Sequence, residues 1–157
     1  MIADSVYRPH RIAACRSTGL QRNLFVYGTL RKACGHEMHH VLERAARYAG
    51  TATVRGALYD LGSYPGLTTG EGQLDLVRGE VYALDPDRMQ TTLAVLDAYE
   101  GCTAADPEPH EYRREVVRAT LADGSEISAW TYVLNRPRAD LTRIPDGDYV
   151  AWLGGRR

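Results

Sequence analysis

The sequence predicts an α+β domain that combines several strands with two helices. Short runs rich in β-branched residues recur between turn signals, which is typical of strands. Two other segments carry the apolar spacing of a helix. The strands and helices do not alternate regularly, as they would in a doubly wound parallel sheet, so the mixed class is favoured.

Composition limits the function classes that need to be considered. The chain has 157 residues, about the length of one domain, and 44% of them are hydrophobic, which is enough for a core. With 19 basic and 20 acidic residues the formal net charge is -1, so no excess charge would attract nucleic acid or an anionic membrane. We therefore expect a small-molecule partner and, as the simplest assembly, a monomer.

The N-terminal residues and the cysteines bear on compartment and domain limits. Residues 1–22 include several arginines but no apolar stretch long enough for a signal peptide or a membrane span. We expect a poorly ordered arm there and a single domain over residues 23–157. The three cysteines are widely spaced without a CxxC pair, which indicates reduced thiols in the cytoplasm.

The first elements are expected to be a buried strand over residues 24–27, which ends at Gly28, and a short helix over residues 38–47. The Asp123–Gly124 pair suits a tight hairpin between the last two strands. The later strands are predicted over residues 48–61, 77–84, 115–121 and 127–134.

The second helix has the clearest signals and is predicted over residues 86–99. Asp85 can cap its free amide groups, Pro86 suits its first turn, and Gly101 can close its end. Residues 101–111 hold two prolines and three acids without an apolar period, which indicates a loop.

Glu100 is the main candidate for acid–base chemistry. At helical spacing it falls in the middle of the stripe formed by Met89, Leu93 and Leu96, so its carboxyl should point where apolar side chains point. Burial and the carbonyl end of the helix both disfavour a negative charge, and a raised pKa makes a carboxyl useful near neutrality. The alternative is a helix already frayed at Tyr99, which would leave Glu100 solvated.

Other polar side chains are secondary candidates. Asp97 lies at the edge of the same stripe and is expected to orient another side chain or to meet solvent. Tyr64, Tyr112 and Tyr132 could line a pocket, since tyrosine offers both a stacking face and a hydroxyl donor. Taken individually, such tyrosines are more often structural.

The turn of Tyr27, Gly28, Thr29, Leu30 and Arg31 joins a strand to a helix and can expose consecutive backbone N–H groups. Such groups hold a carboxylate or phosphate. A single glycine is far short of the GxGxxG or GxxxxGK[ST] patterns, so nucleotide binding is not indicated. Read from its residues alone, an ordinary turn remains the alternative to an anion site.

Residues 36–40 match the zinc-protease pattern HExxH, which places His36 and His40 on one helix face. A catalytic zinc needs a third protein ligand, and the extended form of the pattern meets Glu43 and Ala46 instead. We predict no metal. Cys34 is expected to be an inert thiol, because neighbours in a turn seldom face each other.

Four segments, FVYGTLR, LDAYEG, EYRREVV and IPDGDY, resemble the gamma-glutamylcyclotransferase-like group, also called AIG2-like, in order and spacing over residues 23–152. The resemblance implies a small mixed β-barrel with flanking helices. Carried over by position, it implies that Tyr27, Gly28, Thr29 and Leu30 bind the carboxylate and amine end of a gamma-glutamyl substrate. It also implies that Glu100 is the catalytic acid/base.

The activity implied by this resemblance is conversion of a gamma-glutamyl amine or amide into 5-oxoproline and a free amine, without a cofactor. Tyr132 would serve as a lid or donor in the substrate site. The alternatives are a non-catalytic binding module on the same fold and a zinc hydrolase that uses His36 and His40. The sequence does not identify the leaving amine.

Overall fold

The computed structural model describes residues 21–70, 72–135 and 139–156, so the arm predicted over residues 1–22 lies almost wholly outside the described chain. The described part contains eight strands, three α-helices and a short 3-10 helix at Lys32–Cys34. The strands are β1 (Asn23–Val26), β2 (Ala46–Arg55), β3 (Ala57–Asp60), β4 (Pro65–Thr68), β5 (Leu76–Leu84), β6 (Tyr112–Leu121), β7 (Glu126–Leu134) and β8 (Thr142–Arg143). The helices are α1 (Glu37–Ala45), α2 (Met89–Tyr99) and α3 (Tyr149–Gly154).

Five strands form a closed barrel in the order β1-β5-β2-β6-β7. The ring is closed by a parallel pairing of β1 with β7, in which Leu24 lies opposite Trp130. The other barrel pairings are antiparallel, and β4, β3 and β8 extend the sheet from β7. The structure is thus a small mixed barrel with flanking helices, which confirms the α+β class predicted from the residues and the barrel implied by the family resemblance.

Strand β1 is buried on both faces. Leu24 and Val26 belong to the apolar cluster that includes Leu96 of α2, whereas Phe25 and Tyr27 belong to a second cluster. Successive side chains of a strand point to opposite faces, so a strand between two apolar layers reads as a continuous apolar run. The strand that leads into the candidate turn is therefore fixed by packing on both sides.

Helix α2 begins later than predicted. Asp85 does not cap it; its carboxylate accepts the N–H of Asp87 at 3.0 Å, and its C=O accepts the N–H of Arg88 at 3.0 Å, which forms a separate turn. The predicted end of the helix is confirmed. Gly101 adopts a φ of 68°, a left-handed conformation that glycine tolerates, and the N–H of Cys102 returns to the C=O of Asp97 at 3.0 Å.

Two other boundaries differ from prediction. Helix α1 ends at Ala45 and not at Arg47, because residues 46 and 47 already pair with Leu84 and Ala83 of β5. The single strand predicted over residues 48–61 is two strands, separated at Gly56. Sheet pairing therefore takes precedence over the helix-forming residues at the end of α1.

The prediction of two helices is wrong, since α3 is a third. It is a short helix whose N-cap, Asp148, accepts the N–H groups of Val150 and Ala151 at 3.1 and 3.2 Å. The hairpin prediction is confirmed: β6 and β7 are antiparallel neighbours on either side of Gly124, whose φ is 87°. Within the described part of the chain, each helix is too short or too polar to cross a bilayer.

Candidate active site

A cavity of about 280 Å³ opens where β1 runs into its turn and α2 ends. It brings together all six residues singled out for the site, Tyr27, Gly28, Thr29, Leu30, Glu100 and Tyr132. It also contains the tyrosines Tyr64 and Tyr112 that the sequence proposed as pocket residues. Residues that lie 105 positions apart in the chain thus share one site, because β1 and β7 are neighbours in the barrel.

The turn after β1 leaves backbone donors unused. It is closed by the N–H of Arg31, which donates to the C=O of Gly28 at 3.0 Å. No described residue accepts a hydrogen bond from the N–H groups of Gly28, Thr29 or Leu30. A β-carbon at Gly28 would lie only 2.6 Å from Cγ of Pro65, so glycine is required by close approach. The turn can therefore offer amide groups to an anionic ligand.

An ion-pair network attaches the turn to β5 and to the N-cap of α3. The Arg31 guanidinium donates to Glu80 at 3.4 Å and to Asp148 at 2.9 Å. The Glu80 carboxylate also accepts the N–H of Lys32 at 3.1 Å and the O–H of Tyr82 at 3.2 Å. Glu80 is only 7% exposed, so the turn is tied to a buried, fully partnered carboxylate of β5.

Tyr27 contributes its ring to the cavity, while its hydroxyl is engaged by the protein. The O–H donates to the C=O of Tyr132 at 2.6 Å and accepts the N–H of Leu67 at 3.2 Å. Burial raises the pKa of the Tyr27 phenol far above its ordinary value, so the group stays neutral. The hydroxyl links β1 to β7 and β4.

Glu100 is the C-cap residue of α2, and its backbone N–H still bonds to the C=O of Leu96 at 2.9 Å. The solvated alternative is therefore wrong, because Glu100 is partly buried in the cavity wall. Burial raises the pKa of its carboxyl from 4.5 to about 7, and the negative charges of Glu111 and Asp97 add to the effect. No described residue donates a hydrogen bond to this carboxylate.

Asp97 orients the cavity wall, as the sequence suggested. Its carboxylate accepts the O–H of Tyr132 at 2.8 Å and two bonds from Arg114 at 2.9 and 3.3 Å. Arg114 in turn lies over the ring of Trp130, 4.6 Å from its centroid. The lid role suggested for Tyr132 is wrong: this residue is 4% exposed within β7, and its hydroxyl is already committed to Asp97.

Glu111 is a cavity residue that the sequence analysis does not assign to the site, although it is the first residue of the EYRREVV segment. It precedes β6 and accepts the O–H of Tyr64 at 3.1 and 3.0 Å. The neighbouring Tyr112 donates its O–H to the C=O of Pro65 at 2.7 Å. Glu111 also ends the 101–111 segment that the sequence predicts to be a loop, and the closed barrel brings it near Glu100.

The HExxH residues are used differently from a zinc site. His36 is the N-cap of α1, and its Nδ1 accepts the N–H of Met38 at 3.1 Å, while His40 is largely exposed. The described chain contains no group of three or more His, Cys, Asp or Glu side chains that could hold a metal. The Cys34 thiol donates to the C=O of Gly28 at 3.4 Å, and burial raises its pKa, which fits an inert thiol.

Fold and site together define a class of protein: a small mixed barrel with a glutamate of raised pKa and free turn amides around one cavity. Residues 24–151 match the family described as gamma-glutamyl cyclotransferase, AIG2-like. The protein belongs to this family.

Similar proteins agree with this membership. The chain is 35% identical over 127 residues to the gamma-glutamylcyclotransferase family protein YtfP of Escherichia coli, covering 81% of this chain and 95% of that protein. It is 34% identical over 125 residues to the gamma-L-glutamyl-butirosin B gamma-glutamyl cyclotransferase of Niallia circulans, covering 79% and 74%. These relatives support gamma-glutamylcyclotransferase activity as the general activity of the family.

Solved structures show the same fold. The solution NMR structure of Escherichia coli ytfP matches with a TM-score of 0.56 at 33% identity, covering 86% of this chain and 99% of that one. The crystal structure of an aig2-like protein from Mus musculus matches with a TM-score of 0.64 at 23% identity, covering 83% and 89%. The second likeness concerns the fold alone.

Proposed function

We propose that the protein converts a gamma-glutamyl amine or amide into 5-oxoproline and a free amine, with Glu100 as the general acid/base. The observation that carries the proposal is the position of Glu100, partly buried and without a donor in a cavity whose other wall is the turn at residues 27–30. A carboxyl with a pKa of about 7 is populated in both protonation states near neutrality.

The reaction would be an intramolecular acyl transfer within the substrate. The α-amine attacks the γ-carbonyl carbon, a C–N bond closes a five-membered ring, and the C–N bond to the leaving amine breaks. The Glu100 carboxylate accepts a proton from the attacking amine and returns it to the leaving nitrogen, so no net proton is consumed. Both reacting groups belong to the substrate, so the step needs correct folding of the substrate and no cofactor.

Substrate binding would rest on the turn. The free N–H groups of Gly28, Thr29 and Leu30 suit the α-carboxylate of the gamma-glutamyl group, since consecutive backbone amides favour an anion. The ion pairs of Arg31 with Glu80 and Asp148 would keep these amides in place without touching the substrate. The tyrosine rings would exclude water and limit the conformations of the bound chain.

The test is release of 5-oxoproline from a panel of gamma-glutamyl amines and gamma-glutamyl dipeptides by the wild type and by Glu100→Gln. We expect the wild type to turn over at least one member of the panel. Glu100→Gln should lower kcat by roughly 10²- to 10⁴-fold, which is the usual contribution of a general acid/base.

The matched control is Glu126→Gln, which removes the same charge from the exposed start of β7, outside the cavity. This variant should retain wild-type activity. Silence of the wild type across the panel would favour a binding module, and a Glu100→Gln enzyme with most of its activity would show that Glu100 is not the acid/base.

A further inference from the structure

Among the described residues, the charged side chains that line the cavity are all acidic. Two carboxylates, those of Glu100 and Glu111, line it, and no Lys, Arg or His of the described chain does so. The remaining lining is mainly tyrosine, glycine and aliphatic side chains. A bound molecule therefore meets negative charge that no described lining side chain balances.

Glu111 is the carboxylate that the proposed reaction leaves unused. Its bonds come from the Tyr64 hydroxyl, a neutral donor, and no basic side chain of the described chain forms an ion pair with it. It is an exposed residue of the cavity lining, and its charge disfavours the charge of the partly buried Glu100. Its carboxylate is therefore available to a charged group of a bound substrate.

Each charged part of the substrate can be compared with the groups that would face it in the cavity. The turn amides account for the α-carboxylate, and Glu100 accounts for the proton that moves during the reaction. A leaving amine with its own carboxylate, such as an α-amino acid, would add a negative charge beside two carboxylates, which repel it. A leaving amine with a second ammonium group would instead be attracted.

Aromatic lining reinforces this preference. The rings of Tyr64, Tyr99 and Tyr112 stand around the same cavity as Glu111. The faces of tyrosine rings attract alkylammonium groups, and their apolar surface suits a methylene chain. A terminal carboxylate gains no such attraction from the ring faces.

We propose that the leaving amine of this enzyme carries a second, positively charged amino group, and that Glu111 recognises it. The substrate class is then a gamma-glutamyl conjugate of a diamine, a polyamine or another compound with several amino groups. This inference rests on the proposed function, which it deepens by fixing the charge of the leaving group.

The experiment uses three gamma-glutamyl amides whose leaving amines have similar length and end in an ammonium, a methyl or a carboxylate group. These are the conjugates of putrescine, pentylamine and gamma-aminobutyrate. We expect kcat/KM to fall in that order, with a step of roughly fivefold or more between the ammonium and methyl substrates, because the exposed Glu111 carboxylate and the tyrosine rings both favour the ammonium group. Added salt should reduce the step.

The variant Glu111→Gln tests the residue itself. The ratio of kcat/KM for the putrescine and pentylamine conjugates should fall to within about threefold, whereas Glu111→Asp should retain part of the preference and Glu126→Gln all of it. The ratio compares two substrates on one enzyme, so any change in the titration of Glu100 cancels. An unchanged ratio in Glu111→Gln would overturn the role of Glu111.

The outcomes separate this inference from the function on which it rests. Release of 5-oxoproline from all three conjugates at similar kcat/KM, or preference for the methyl or carboxylate conjugate, would leave the reaction in place and overturn the charge preference. Absence of release from all three and from the wider panel would overturn the proposed function and this inference together.

Discussion

The turn after β1 lies between two glutamates whose surroundings are opposite. Glu80, on one side, is 7% exposed and accepts bonds from Arg31, the N–H of Lys32 and Tyr82. Glu100, on the other side, receives no bond from any described residue, and its charged neighbours are carboxylates. A buried carboxylate with donors serves as a structural anchor, whereas a buried carboxylate without donors can have a pKa near neutrality and so exchange a proton there. The two glutamates therefore differ in whether their carboxylates have hydrogen-bond donors, and not in whether they are buried.

The largest effect on stability is expected at the partnered glutamate. Glu80→Ala removes the acceptor of three groups and leaves Arg31 with Asp148 alone, so the free energy of unfolding should fall by about 2 to 4 kcal/mol. Denaturant unfolding at neutral pH measures this. The exposed Glu126→Gln should change it by less than about 0.5 kcal/mol. Equal, small effects of the two variants would remove the contrast with Glu100.

At the unpartnered glutamate the same measurement should give the opposite sign. The pKa of Glu100 is raised from 4.5 to about 7 in the folded protein, so the stability it contributes is present below pH 4.5 and is lost as pH rises through about 7. Glu100→Gln stays neutral throughout. It should match the wild type near pH 4 and exceed it by about 2 to 3 kcal/mol at pH 8, by the linkage of pKa to free energy. A variant less stable than the wild type at pH 8 would contradict a raised pKa.

A smaller effect should identify the source of the raised pKa. After burial, Glu111 is the larger contributor to the pKa of Glu100 and Asp97 the smaller. In a pH profile of kcat/KM for the pentylamine conjugate, Glu111→Gln should move the acidic limb to lower pH by less than about one unit, and Asp97→Asn by less. A limb that stays in place in both variants would leave burial as the only cause, and a limb that moves to higher pH would contradict the effect assigned to these charges.

The smallest effect is expected at the glycine that closes α2. Gly101 has a φ of 68° with open space around its α-carbon, so Gly101→Ala should lower the free energy of unfolding by about 1 kcal/mol through backbone strain alone. Gly155 caps α3 with a φ of -74°, and Gly155→Ala should have no such effect. Denaturant midpoints of the two variants make the comparison. Equal midpoints would indicate that the end of α2 relaxes.

Local patterns in the sequence were enough to find one half of the site. Glu100 was predicted because Met89, Leu93 and Leu96 mark the buried face of its own helix, and the turn at Gly28 was predicted because a buried strand precedes it. These signals lie within a dozen residues of the groups they identify. The closed barrel, by contrast, was expected only through the family resemblance.

The other half depends on contacts between distant segments. Glu111 lies in a loop whose composition is plain, and no local pattern places it beside Glu100. Strand β4 begins with Pro65 and contains Gly66, both poor strand formers, and is stabilised by pairing with β3. Two local signals do mark residues that support this half: the charged Glu80 lies within an apolar strand, and Asp148 precedes the short apolar run of α3.

The parallel pairing of β1 with β7 has a consequence for the folding of the chain during its synthesis. Leu24 pairs with Trp130, and the Tyr27 hydroxyl reaches the C=O of Tyr132, so the N-terminal strand finds its neighbour only after most of the chain has been translated. A nascent chain that has emerged only as far as α2 contains both Glu100 and the turn, yet it has no cavity between them. Barrel closure is then a late event of high contact order, and ligand binding begins only when synthesis is nearly finished.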